Sequence, residues 1–317
     1  MPANAFNILP TEIIEHVGRA LANFSLSEQL PENRLVQAAL EAKALHPLTL
    51  VDRRFSRIFT PILYHQVVLK SSNSIRNFRS ETLGNAELCG LVDILLFSGR
   101  TRGSRFTVDS YDASVSALAA ILHDLKHLKT LRLWKFRGDE FRELHPRDLK
   151  SCTQLREIEL YDSYLPLSIH QALASILPNI RRFVISDGSP WSNISAYYGY
   201  SFSGMTGLKS LRIHSTRFNF EMLVNSAISK VTADKLEELE FDSTIPYTKF
   251  MGPYQFISIG SLDRWKDTLK VFRFRGDPIE AELKRYLDIT LENCEIVDIV
   301  EIPVEIGEGH SLNMWMG

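Results

Sequence analysis

Cysteine is scarce in this sequence: 3 among 317 residues, Cys89, Cys152 and Cys294. Spaced that widely they make neither a closed disulfide framework nor a metal-ligand cluster. They read as small buried apolar residues of a protein kept in a reducing compartment. Charge of either sign is not in excess. A net charge of -2 gives no global attraction to nucleic acid or anionic membrane, so neither is an expected partner. Long apolar runs are missing as well. The best, Leu91 to Phe97, is interrupted by Asp93 and is strand-sized, too short to span a bilayer. Met1 to Ile8 has no basic region followed by an apolar core, so no secretory signal is expected. Two glycosylation sequons, Asn23-Phe-Ser25 and Asn193-Ile-Ser195, therefore read as chance matches. Catalytic signatures are also lacking. There is no phosphate loop and no H-E-x-x-H, the histidines are scattered, and Gly199 to Gly204 lacks the G-x-S-x-G spacing. The expectation is a non-enzymatic protein, cytoplasmic or nuclear, with no catalytic residues, metal or cofactor.

What is present is ordinary globular material, 44% hydrophobic and 23% charged, enough for an extended domain or two unequal ones. It is organised by a repeat. Leu128-Lys-Thr-Leu131-Arg-Leu133 returns as Leu155-Arg-Glu-Ile158-Glu-Leu160, Ile180-Arg-Arg-Phe183-Val-Ile185 and Leu208-Lys-Ser-Leu211-Arg-Ile213. It continues as Leu236-Glu-Glu-Leu239-Glu-Phe241 and Leu269-Lys-Val-Phe272-Arg-Phe274, with weaker copies at Leu91 to Leu96 and Cys294 to Ile299. The central copies start about 25 to 28 residues apart, a period typical of strand-plus-helix repeats. Between them, Val115, Leu118, Ala119 and Leu122, and again Ile169, Leu173, Ile176 and Leu177, have helical spacing. In a strand successive side chains alternate faces, so the fourth and sixth motif positions point into a core and the third, fifth and seventh point outward. No single unit can bury its own apolar face, so the units must stack.

This part of the chain, about residues 91 to 300, resembles leucine-rich-repeat proteins. It departs from them where an Asn normally follows the strand: Phe136, Ser163, Gly188, Thr216 and Thr244 stand there. The resemblance implies an α/β fold, an irregular βα solenoid over residues 71–317 with a parallel, concave sheet as its binding face.

Ahead of the repeats, Leu9-Pro10-Thr11-Glu12-Ile13-Ile14 reads as a helix start, with Pro10 preset for the first turn and Glu12 at the positive end of the dipole. Ile13, Ile14, Val17 and Leu21 form one apolar stripe, and a second helical stretch covers about Arg34 to Leu45. Leu48, Leu50, Val51, Phe55, Ile58 and Phe59 form another apolar face, ending at Pro61, and Leu63 to Leu69 alternates like a strand. The three pieces in this order resemble an F-box over about residues 7 to 69, giving a small N-terminal helical domain, 1–70. That resemblance implies docking on the Skp-type adaptor of an SCF ubiquitin ligase, and through it on a cullin, while the repeats hold a substrate protein. Carried over, adaptor contacts fall on Leu9, Pro10, Ile13, Ile14, Val51, Phe55, Leu63 and Tyr64. The plainer alternative is that these residues pack a three-helix core, the favoured reading for Ile14, Val17 and Leu48. The stretch from Ala20 to Leu48 is longer than a compact F-box needs.

Candidate substrate contacts are the outward positions Arg132, Trp134, Glu159, Tyr161, Arg212, His214, Glu240, Arg273 and Arg275. Arg132 falls beside Glu159, and Arg212 beside Glu240 beside Arg273, so a cross-strand charge ladder is the competing reading. Trp134, Tyr161 and His214 would be aromatic groups on an open face. Two long connections, Gly188 to Gly204 with Trp191 and Tyr198, and Ile245 to Ile259, either wall that face or form small private cores.

Overall fold

A computed structural model describes residues 10–14, 16, 45–70, 72–82, 84–98, 117–135, 151–161, 163, 167–187, 204–215, 231–243, 262–276 and 281–300. It is a mixed α/β structure built on one nine-stranded sheet. The strands are β1 (Gln66–Leu69), β2 (Ile94–Ser98), β3 (Thr130–Trp134), β4 (Glu157–Tyr161), β5 (Arg182–Asp187), β6 (Ser210–Ser215), β7 (Glu238–Ser243), β8 (Val271–Gly276) and β9 (Glu295–Val300). They lie side by side in chain order and every pairing is parallel, which is the topology of a solenoid-like stack. The register aligns the central copies of the motif with one another: Leu131 opposes Ile158, Ile158 opposes Phe183, and Phe183 opposes Leu211. The two weaker copies are each out by one residue from their reading in the sequence: Leu95 and Phe97, not Ile94 and Leu96, oppose Leu131 and Leu133, and Ile296, not Val297, opposes Phe272.

The fourth and sixth motif positions are interior, as their period demands. Leu131, Leu133, Ile158, Leu160, Phe183, Ile185, Leu211, Ile213, Leu239, Phe241 and Phe272 belong to one continuous core. Leu118 and Leu122 from the helical residues 117–124, and Ile169 and Leu173 from the 167–177 segment, pack against it. Toward β8 the strand rows become aromatic, with Phe241 and Phe272 edge to face at 5.8 Å.

Two backbone devices repeat along the stack. Val92, Leu128, Leu155, Ile180, Leu208 and Cys294 each donate their N–H to the carbonyl three residues back, at 2.8–3.3 Å. Those carbonyls belong to Cys89, Leu125, Cys152, Leu177, Met205 and Leu291. The core motif thus begins one turn earlier than L-x-x-L-x-L, at a residue that drops into the core and turns the chain into the strand. At the second motif position, each carbonyl accepts two N–H groups from the next unit. Lys129 receives Arg156 and Glu157, Arg156 receives Arg181 and Arg182, Arg181 receives Lys209 and Ser210, and Lys209 receives Glu237 and Glu238, at 2.7–3.1 Å. This main-chain ladder satisfies the N-terminal rim of the sheet without help from side chains. Of the residues standing where an Asn was expected, only Ser163 is described. It is buried, and its hydroxyl donates to the Tyr161 carbonyl at 2.7 Å.

The N-terminal part differs from its reading in the sequence at three points. The apolar run Leu48 to Phe59 is not one helix: residues 45–49 are helical, the chain turns, and α1 begins at Arg53. The reason is Asp52, extended at the N-cap, whose side chain accepts from the Phe55 N–H at 2.9 Å. Pro61 does not end α1, which runs through it to His65 and forgoes only the hydrogen bond that a proline cannot donate. Consequently Leu63 and Tyr64 are helical, and the strand is limited to Gln66–Leu69, the first of the sheet. Ile14, Leu45, Phe55 and Phe59 form a small core of their own, separate from that of the sheet. Two further helices, α2 (Ser72–Glu81) and α3 (Ala86–Gly90), follow β1. Asn85 caps α3 by accepting from Glu87 and Leu88 N–H groups, and α2 buries Ile75 and Phe78 on the sheet core. No helix among the described residues is long and apolar enough to cross a membrane.

Candidate functional site

The eight residues expected at an adaptor surface divide by exposure. Pro10 is exposed and its carbonyl starts the first helical turn, accepting from Ile13 and Ile14 N–H groups at 3.2 and 3.3 Å. Ile13 on that turn is 49% exposed, whereas Ile14 beside it is buried. Arg54 donates to Thr11 Oγ1 at 2.9 Å, fastening the turn to the start of α1. There the corner opened by the Asp52 cap leaves Leu50 at 72% and Val51 at 54% exposure. Phe55 is buried against Phe59, ring centroids 5.6 Å apart, so its expected role as a contact is corrected: it holds the helical core. Leu63 packs half-buried on the same core and Tyr64 half-buried on the sheet core. Leu9 lies outside the described residues. Leu50 was missed as a contact because a helical wheel drawn through the corner puts it on the inner face.

The outward face of the sheet is not open, contrary to the sequence reading. Glu159 is 0% exposed, Tyr161, Val184, Ser186 and Asp242 are buried, and Arg132 retains 13% of its side-chain surface. Register assembles two polar clusters on this face. In the first, Glu159 accepts from Arg132 Nε at 2.8 Å, from the Tyr161 hydroxyl at 2.7 Å and from Arg182 Nη1 at 2.9 Å. A buried carboxylate is tolerated only when paired and hydrogen-bonded in this way. Burial alone would lower the pKa of the Arg182 guanidinium; Glu159 and Glu157 more than reverse this and raise it. In the second cluster Asp242 accepts from Arg212 Nη2 and pairs with His214 Nδ1, both at 2.9 Å, while Arg212 Nε lies 3.3 Å from Glu240. Burial would raise the pKa of Asp242, but His214 and then Arg212 outweigh it and bring it below the ordinary value. Val184, between Glu159 and Arg212 in register, separates the clusters.

The expected pairs Arg132 with Glu159 and Arg212 with Glu240 are therefore present, and Arg273 is in register with Glu240. Trp134 is half-buried, with Lys135 Nζ 4.5 Å from its ring centroid. Arg275 belongs to β8 by its backbone, but its side chain lies outside the described residues, as do Trp191, Tyr198 and nearly all of both long connections. Arg182 stands at the third motif position, outside the fifth- and seventh-position candidates. Its signal, a third-position arginine beside a glutamate on the preceding strand, is visible in Ile180-Arg-Arg-Phe183. With Glu159 and Tyr161 enclosed, the polar groups this face can still offer a ligand include, among the described residues, Glu157, Arg182, Arg212, Glu238, Glu240 and Arg273.

No family model matches the chain, and no curated protein matches it. Among solved structures it is similar to a Bacteroides fragilis protein determined as a structural-genomics target, at 14% identity and a TM-score of 0.45, over 80% of this chain and 70% of that one.

Proposed function

We propose that this chain is the substrate-recognition subunit of an SCF-type cullin–RING ubiquitin ligase. An F-box at its start docks the Skp-type adaptor, and an irregular leucine-rich-repeat solenoid holds the substrate protein. The observation that carries the reading is the corner where Ile13, Leu50 and Val51 stand exposed around a helical core separate from that of the sheet. A unit serving only to pack would bury such side chains, each of which gains about 1.5–3 kcal/mol when fully removed from water. The strict chain order of the parallel strands supports the repeat half of the reading. On the sheet, Arg182 and Arg212 are anchored by Glu159 and Asp242, so their remaining N–H groups are oriented before a substrate arrives. In this role the chain performs no chemistry; ubiquitin transfer belongs to other subunits. Co-purification of the intact chain with a purified Skp-type adaptor tests the proposal, and a folded chain that fails to retain the adaptor defeats it.

One observation favours a second reading, a repeat scaffold for protein–protein interaction whose helical segment caps the sheet. Helix α1 runs into β1 without a linker, and Tyr64 near its end packs on the sheet core. Ile13→Asp and Val51→Asp separate the two. A docking surface loses adaptor with little change in thermal stability, whereas a cap whose outer residues matter to the fold loses stability.

A further inference from the structure

The N-terminal rim of the sheet carries one basic side chain on each of four consecutive units: Lys129, Arg156, Arg181 and Lys209, all exposed. They occupy the second motif position, where the main-chain ladder fixes their spacing. Arg181 N–H bonds the Arg156 carbonyl and Lys209 N–H bonds the Arg181 carbonyl, so neighbouring backbones are about 4.8 Å apart, the strand separation of a sheet. The outer pair is neutralised at each end, Lys129 on Asp93 at 2.8 Å and Lys209 on Glu237. The inner pair is not. Among the described residues Arg156 and Arg181 meet no carboxylate; each is fastened through Nη1 to backbone carbonyls. Arg156 bonds Thr153 and Leu155 at 2.8 and 2.9 Å, and Arg181 bonds Gly207 at 2.7 Å.

Gly207 is required for this arrangement. A Cβ there would collide with the Pro178 carbonyl and with the Arg181 guanidinium itself. The rim therefore presents two guanidiniums on adjacent units, each anchored to the main chain through Nη1. Planar forks of this kind match carboxylates two oxygens at a time.

We propose that this rim is a docking site for an extended acidic peptide segment of a partner protein, its carboxylates bridging Arg156 and Arg181. This surface is separate from the polar face of the sheet and from the helical corner, and it does not depend on the ligase assignment. Two features favour a peptide over other polyanions. Among the described residues, the rim's exposed side chains include no aromatic ring broader than His127 on which bases could stack, and no large apolar group that could enter a bilayer.

The test is fluorescence anisotropy of the intact chain with a labelled ten-residue Asp/Glu-rich peptide. Controls are a neutral peptide of equal length, oligouridylate and vesicles containing phosphatidylserine. The expected result is binding of the acidic peptide alone, weakening as salt rises, and reduced at least tenfold by Arg156→Glu with Arg181→Glu. Should charge reversal disturb folding, Arg156→Gln with Arg181→Gln at unchanged melting temperature is expected to weaken binding several-fold. Absence of binding at low salt, affinity indifferent to either pair of substitutions, or tighter binding of oligouridylate or vesicles overturns the proposal.

Discussion

Replacing Glu159 with alanine removes the one carboxylate on which Arg132, Arg182 and Tyr161 converge. Arg132 is nearly enclosed and would remain charged without its partner, and the loss of one member of a buried pair costs roughly 3–5 kcal/mol. The Tyr161 hydroxyl loses its acceptor as well, a deficit of about 1–3 kcal/mol where water cannot enter. Arg182 contributes little to the sum, because at 37% exposure it can turn to solvent. The two costs overlap in one cavity, so a destabilisation of about 3 kcal/mol is expected, read as a fall in the urea midpoint at unchanged slope. A second variant separates charge from packing. Arg132→Met and Glu159→Leu with Tyr161→Phe removes both charges and the hydroxyl that Glu159 accepts from while nearly keeping volume, and is expected to recover to within about 1 kcal/mol of the native chain. A loss below about 0.5 kcal/mol for Glu159→Ala, the range of unremarkable surface changes, would refute the assignment of Glu159 as the buried hub of this face.

Two other outcomes follow from the shifted groups. The pKa of Asp242 in the folded chain lies below its ordinary value near 3.8. Its pairing therefore stabilises fully above that pH and is lost as pH falls through the folded value. The melting-temperature gap between the native chain and Asp242→Asn should accordingly narrow between pH 5 and pH 2.5, and a gap constant across that range contradicts the pairing. The Cys152 thiol is pushed up to about 11 by burial and donates to the Leu122 carbonyl at 2.9 Å. At pH 8 iodoacetamide should leave Cys152 unmodified in the native chain, label half-buried Cys294 sooner, and label both equally in denaturant, as read by peptide mass spectrometry.

The sheet was legible because its code is local and periodic: Leu131, Ile158, Phe183 and Leu211 recur every 25 to 28 residues and have only one face to bury. The turn residue three positions before each motif was less so, since Cys89, Cys152, Leu177 and Met205 share burial but not side-chain type. Alternation assigned the outward positions to the correct face and paired Arg132 with Glu159. It could not report enclosure, because whether a face meets water depends on groups contributed by neighbouring strands and not on the period of any one of them. At the N-terminus the helical wheel failed at Asp52, where one capping hydrogen bond outweighed a continuous apolar stripe and turned Leu50 and Val51 outward. The exposed corner that motivates adaptor docking was thus only partly foreseen, through Pro10, Ile13 and Val51.

Isothermal titration of the intact chain with purified Skp-type adaptor tests the ligase assignment most directly. The account predicts saturable one-to-one binding that Ile13→Asp with Val51→Asp weakens at least tenfold while the melting temperature stays within a few degrees of the native chain. No heat of binding from a folded chain, or binding that the double substitution leaves unchanged, would contradict it.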